Sequence, residues 1–184
     1  MSALASPQAV TTKWNIDPVH TVAEFKVKHM MVSNVKGDFD KVTGSIVLDD
    51  ADPSASSINV TVDVASIDTN ESNRDGHLQS PEFFDSQKHP QITFTSSSVE
   101  TDSEGSLNLT GEITIKGITK PITLTGTLGE NGEDPWGHQR VGFEVSGVID
   151  RRDFDLAWNQ ALPNGNLLVA NDVRLVVSVS AVKA

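Results

Sequence analysis

The sequence predicts an all-β fold, a closed barrel of eight or nine antiparallel strands. Three observations lead there. Val, Ile and Thr contribute 21, 10 and 15 of the 184 residues, and β-branched side chains favour a pleated strand. Apolar and polar residues alternate with period two in segment after segment. Turn signals rich in Asp, Gly and Pro separate those segments at short intervals. Many half-buried strands without a long helix leave a closed barrel or a two-sheet sandwich, and closure is favoured because it removes exposed strand edges.

The strands follow in order. Trp14 to Asp17 comes first, then Ala23 to His29, where Phe25, Val27 and His29 share a side, then Val42 to Leu48. Ile58, Val60, Val62 and Val64 alternate with Asn59, Thr61 and Asp63. The β pattern then breaks. Asn70 is placed to cap a helix over Glu71 to Leu78, and Ser80-Pro81-Glu82 carries the cap, the first-turn proline and the acidic residue of a further helical turn, directly before Phe83 and Phe84. This excursion reads either as a lid over one end of a β-structure or as a connector plugging its core. Ile92 to Ser96 resumes the strands. Leu107 to Gly117 is the sharpest of them, with Leu107, Leu109, Ile113 and Ile115 on one face and Asn108, Thr110, Glu112 and Thr114 on the other. Ile122 to Leu128, Val141 to Ile149 and Val173 to Ala181 complete the series. Gly44, Gly111, Gly126 and Gly147 fall in register with apolar neighbours. Inward glycines either leave room for a ligand or mark barrel corners.

Charge and motifs narrow the function. The net charge of −11 repels nucleic acid and anionic surfaces, which excludes a nucleic-acid partner and leaves only transient membrane approach. Without cysteine there is no thiol catalysis, thiolate metal site or disulfide. Met1 to Pro7 lacks the basic and apolar regions of a secretory signal, an expectation of cytoplasmic location. The histidines show no compact metal spacing, and no nucleophile elbow, phosphate loop or dinucleotide fingerprint occurs. No catalytic residue, metal or cofactor is expected. Two charged clusters, Asn73 to His77 and Asp150 to Asp155, read by default as local ion-pair networks. Both lie beside large apolar groups, Phe83, Phe84, Phe154 and Trp158, a junction suited to a ligand with a polar head and a long apolar tail.

Several segments carry a family resemblance: Trp14 to Thr21, Val27 to Val32, Asn73 to Leu78 with Glu82 to Asp85, Pro90 to Phe94, Ile113 to Ile122, and Arg152-Asp153-Phe154. In order and spacing the chain resembles the YceI-like polyisoprenoid-binding family from about Trp14 to its C-terminus. The resemblance implies an extended antiparallel eight-stranded lipocalin-like β-barrel with a short helical excursion around residues 71–85. Residues 1–13 would be a flexible segment and 14–184 the barrel domain. It further implies non-enzymatic binding, carriage or storage of a long isoprenoid lipid, such as a prenyl quinone or prenyl phosphate, in a homodimer. Export to the periplasm or secretion, common in the family, is the alternative location. Where the family usually carries glycine after Asp153-Phe154, this chain has Asp155.

On this reading the lining comes from Phe25, Val27, His29, Met30, Met31, Val60, Val62, Phe83, Phe84, Phe94, Ile113, Ile115, Phe143, Phe154 and Trp158, with Arg74, His77 and Arg151 at the head group. Each methylene removed from water contributes about 0.8 kcal/mol, so a long chain needs few polar contacts. Two other functions compete: a stress-related structural or interaction module whose barrel is filled with side chains, and an isoprenoid-modifying enzyme using His29 or His77.

Overall fold

The computed structural model describes residues 11–49 and 51–184. Twelve strands form one antiparallel sheet: β1 (Thr11–Ile16), β2 (Val22–His29), β3 (Ser33–Phe39), β4 (Val42–Asp49), β5 (Ser57–Asp63), β6 (Ile67–Asp68), β7 (Gln91–Thr101), β8 (Ser106–Ile115), β9 (Ile118–Leu128), β10 (Gly132–Glu133), β11 (Gln139–Asp150) and β12 (Val169–Lys183). Eight of them close into a barrel, in the order β11, β9, β8, β7, β5, β4, β1, β12, because β11 pairs with both β9 and β12. β12 is long enough to hold two partners along one edge. Ala181 to Lys183 face β1, while Val169 to Ser178 face β2. β3 then pairs with β2 and β6 with β3, so the wall continues beyond the closed ring. Of the expected segment 1–13, residues 1–10 lie outside the described residues, and Thr11 to Lys13 already belong to β1.

The alternation in β8 becomes inside and outside: Leu107, Leu109, Ile113 and Ile115 are buried, while Asn108 and Glu112 are exposed. A polar outer face over an apolar interior is the reverse of a membrane-spanning barrel. At two of the inward glycines the neighbouring strand comes too close for a side chain. A Cβ on Gly111 would run into the Thr95 carbonyl oxygen and lie 2.7 Å from the Phe94 ring, opposite the bulge where the β7–β8 register shifts between Ser96 and Ser98. One on Gly126 would collide with the Glu144 carbonyl oxygen across the β9–β11 pair. The neighbouring strand therefore occupies the space that a ligand would have used.

The excursion differs from the expected one. Helix α1 spans Ser72–Gln79, and its cap is Glu71, whose carboxylate accepts the N–H groups of Asn73 (3.1 Å) and Arg74 (2.6 Å). No second helix follows. The N–H groups of Phe84, Asp85 and Ser86 return to the carbonyls of Leu78, Ser80 and Gln79, which folds Pro81 to Phe84 into turns against the end of α1.

A charged cluster ties the β1–β2 link to the β10–β11 hairpin. Arg140 donates to Asp17 and to Asp134, each at 2.8 Å. Its hydrogen bond, together with that of His20, holds the Asp17 carboxyl down at about 2. Burial alone would raise Asp134, but hydrogen bonds from the His138 backbone and Arg140 outweigh it and keep that carboxyl well below the usual range. A carboxylate with a depressed folded-state pKa contributes fully above its unfolded value of about 3.9, and loses that contribution as pH falls toward the folded value. These carboxylates should therefore change Tm little between pH 7 and 5 and lower it progressively below pH 4, with Asp17→Asn flattening the acid limb in thermal unfolding. An acid limb identical in the variant would show that the network adds no stability.

Candidate ligand cavity

Inside the barrel lies a cavity of about 500 Å³. Its wall is built strand by strand from inward positions. Phe25, Val27 and His29 come from β2, Val60 and Val62 from β5, Phe94 from β7, Ile113 and Ile115 from β8, and Phe143 from β11. The excursion adds Arg74, His77, Phe83 and Phe84, and the segment after β11 adds Arg151 and Trp158. All these positions are among those expected from the sequence.

Three expected positions are not in the wall. Met30 and Met31 stand outside it, because the alternation of β2 stops at His29. There the chain reverses through two residues with left-handed φ of 54° and 60°, closed by the Val32 N–H to the His29 carbonyl at 3.1 Å. Their side chains are 44% and 52% exposed at the hairpin tip. Phe154 is fully buried at the end of the short 3-10 turn Arg151–Phe154 and packs into the core instead. Sequence reasoning also missed β12, whose Val173, Leu175, Val177 and Val179 line the cavity. Their alternation was visible, but nothing in one sequence shows that β12 pairs on both edges.

The wall on β12 runs from Val169 to Val179. At about 3.3 Å per residue and a barrel tilt near 40°, that stretch covers roughly 25 Å along the axis. Beyond Val179 the interior is closed by packed side chains, among them Trp14, Ile16, Leu107, Val141 and Ala181, which are all buried. The other end reaches half-buried His29, Leu168 and Val169 beside the β2–β3 tip, where the Met30 N–H donates to the Leu168 carbonyl at 2.7 Å. The cavity is thus a long, narrow apolar tunnel with one blind end.

Three of the polar side chains that line it, Arg74, His77 and Arg151, are already engaged. Arg74 donates to the Thr69 hydroxyl (2.7 Å) and carbonyl (2.8 Å). His77 holds Glu82 at 2.6 Å, with its ring edge-on to Phe83 and to Trp158 at centroid distances of 5.0 and 4.9 Å. Arg151, only 4% exposed, donates to the carbonyls of Ala170 (2.9 Å), Trp158 (2.8 Å), Val169 (3.4 Å) and Leu156. Burial lowers its pKa, partly opposed by Asp150. Asp155 adopts the left-handed conformation, φ 55° and ψ 28°, that glycine would take most easily, and accepts from Lys116 at 3.2 Å.

An all-antiparallel closed barrel around a blind apolar tunnel defines a barrel-type binding fold. The chain belongs to the YceI-like family, whose domain model matches residues 14–181. Protein YceI of Salmonella newport is 38% identical, with 95% of this chain and 89% of that protein covered. Among solved structures, Burkholderia cenocepacia BcnA superposes with a TM-score of 0.77 at 25% identity, covering 90% of this chain and 98% of that one. A structure described as a polyisoprenoid binding domain from Saccharophagus degradans shares the fold, with a TM-score of 0.66 at 14% identity over 93% of this chain and 98% of that domain.

Proposed function

We propose that this protein binds a long polyisoprenoid or similar amphiphilic lipid in the barrel, and carries or stores it without chemical turnover. The observation that carries the reading is the tunnel itself. A volume of 500 Å³ lies within the roughly 300–1,000 Å³ of small-molecule pockets. Spread over roughly 25 Å of wall, it admits one extended chain rather than a compact solute. The polyisoprenoid-binding description of the Saccharophagus degradans domain supports the same ligand class. A prenyl quinone and a prenyl phosphate both fit a tunnel that supplies hydrocarbon contact and few free donors. The competing module with a solid barrel is disfavoured by that empty volume.

Native mass spectrometry of protein purified from its own host, followed by organic extraction, is expected to show a stoichiometric prenyl or comparably long-chain lipid. Protein that stays empty under mild conditions, and takes up no added prenyl lipid, would overturn the reading.

A further inference from the structure

The β2–β3 hairpin has an unusual tip. Within the three-residue loop between the paired His29 and Ser33, the β-turn closed by the Val32 N–H to the His29 carbonyl is of the kind whose two central residues both have positive φ, positions that favour Asn and Gly because other side chains are strained there. Here Met30 and Met31 occupy both positions, and Val32 beside them is 88% exposed. Leu167, 41% exposed, lies next to them, since its neighbour Leu168 accepts the Met30 N–H. A strained turn carrying flexible, exposed apolar side chains points to a contact role for those side chains.

The charge around the tip is equally uneven. In a chain with a net charge of −11, the outward face next to the tip is basic. Lys26 pairs across the strands with Lys36 on one side and Arg174 on the other, and Lys28 lies one outward position closer to the tip. All four are exposed, and among the described residues none of them forms a salt bridge. Asp172 stands in the β12 bulge opposite Lys28 and also faces Arg152. The acids gather one row further from the tip, where Glu24 pairs with Asp38 and Asp38 with Asp68. Of the four other exposed large apolar side chains, Val148 lies across from Arg174 on β11, Leu128 ends β9, and Val19 and Trp136 sit beside Asp17 and Asp134.

We propose that the β2–β3 tip is a membrane-docking site: Met30, Met31, Val32 and Leu167 enter the interfacial region of a bilayer while Lys26, Lys28, Lys36 and Arg174 engage its anionic head groups. The half-buried end of the tunnel is then set against the lipid from which a ligand would be drawn. The docking rests on the tip and its charge. Only the transfer of a lipid into the tunnel rests on the carrier reading. The overall negative charge orients the molecule, because it repels every approach except the one that leads with this face.

The test is co-sedimentation with phosphatidylcholine vesicles with and without 30% phosphatidylglycerol. Wild-type protein is expected to bind the anionic vesicles at least tenfold better, and to lose that preference at about 0.5 M salt through screening. Met30→Asn/Met31→Gly suits the turn better than the natural pair, so it should keep or raise Tm while binding falls at least tenfold. Lys26→Glu/Lys28→Glu/Lys36→Glu should abolish the preference for anionic lipid. Vesicle binding that survives the Asn-Gly change, or wild-type protein that does not sediment, would overturn the proposal. So would a concentration-dependent dimer in ultracentrifugation that the Asn-Gly change dissolves, since a second copy would then be the occupant. Lipid content measured on the same samples separates the two readings: docking by protein that never holds lipid counts against the carrier alone, and bound lipid without docking counts against this inference alone.

Discussion

Replacing Arg151 by leucine should destabilise the protein by about 3 kcal/mol or more, read as a lower urea midpoint at unchanged slope. The side chain is buried and donates to four backbone carbonyls, those of Leu156, Trp158, Val169 and Ala170. Those carbonyls belong to the segment after β11 and to the first residues of β12, two stretches also joined by the Asn159 amide to Val169 and by the Leu168 N–H to the Gln160 carbonyl. Leucine fills some of the volume but supplies no donor; the Val169 carbonyl keeps its bond from the Asn159 amide at 2.7 Å, while each of the others left buried without a partner costs about 1–3 kcal/mol. Lysine keeps the charge but places its donors on a single nitrogen, whereas the planar fork reaches several carbonyls at once. Arg151→Lys should therefore recover only part of the loss. Because Trp158 and Val169 are also cavity wall, lipid retention should fall with stability. A leucine variant within about 1 kcal/mol of wild type would show that water or local rearrangement satisfies those carbonyls.

That role for Arg151 was not legible in the sequence, where it appeared as half of an Arg-Arg pair flanked by aspartates. Arg152 behaves as that pattern suggests, with Asp150 at 2.5 Å. Arg151 turns inward because the chain makes a 3-10 turn immediately after β11, and a turn decides which of two adjacent residues is buried. The barrel itself was far more legible. β8 shows its two faces directly because its inward residues are large and its outward ones polar. β3 escaped notice because its inward positions are Val35, Gly37 and Phe39, and the glycine is there to admit the Phe25 ring, which a Cβ would approach to 2.7 Å or less. A strand that yields space to its neighbour loses the apolar beat that announces it. The same limit applies to Met30 and Met31. Period two continues through them on paper, and only turn chemistry, which Met-Met does not advertise, marks where the strand ends.

Two substitutions aimed at the same interior should give opposite outcomes. Gly111→Phe is expected to prevent folding, with loss of the cooperative transition and of near-ultraviolet circular dichroism, because its first side-chain atom already meets the Thr95 carbonyl and the Phe94 ring. No rotamer relieves a clash at Cβ, and moving Thr95 would break the β7–β8 ladder at its bulge. Val177→Trp is expected to leave the fold intact at a cost of about 1–3 kcal/mol, while lowering prenyl-lipid uptake at least tenfold. Val177 is half-buried in the tunnel wall, between Val145 of β11 and the small Ala23 of β2, so an indole there extends into open volume. A narrow tunnel is sensitive to this kind of block: one obstruction partway along stops a chain that must thread past it, even though most of the volume remains. Normal lipid content in Val177→Trp would place the ligand outside the barrel. A folded but lipid-free Gly111→Phe would return that glycine to the cavity and overturn its assignment to the bend.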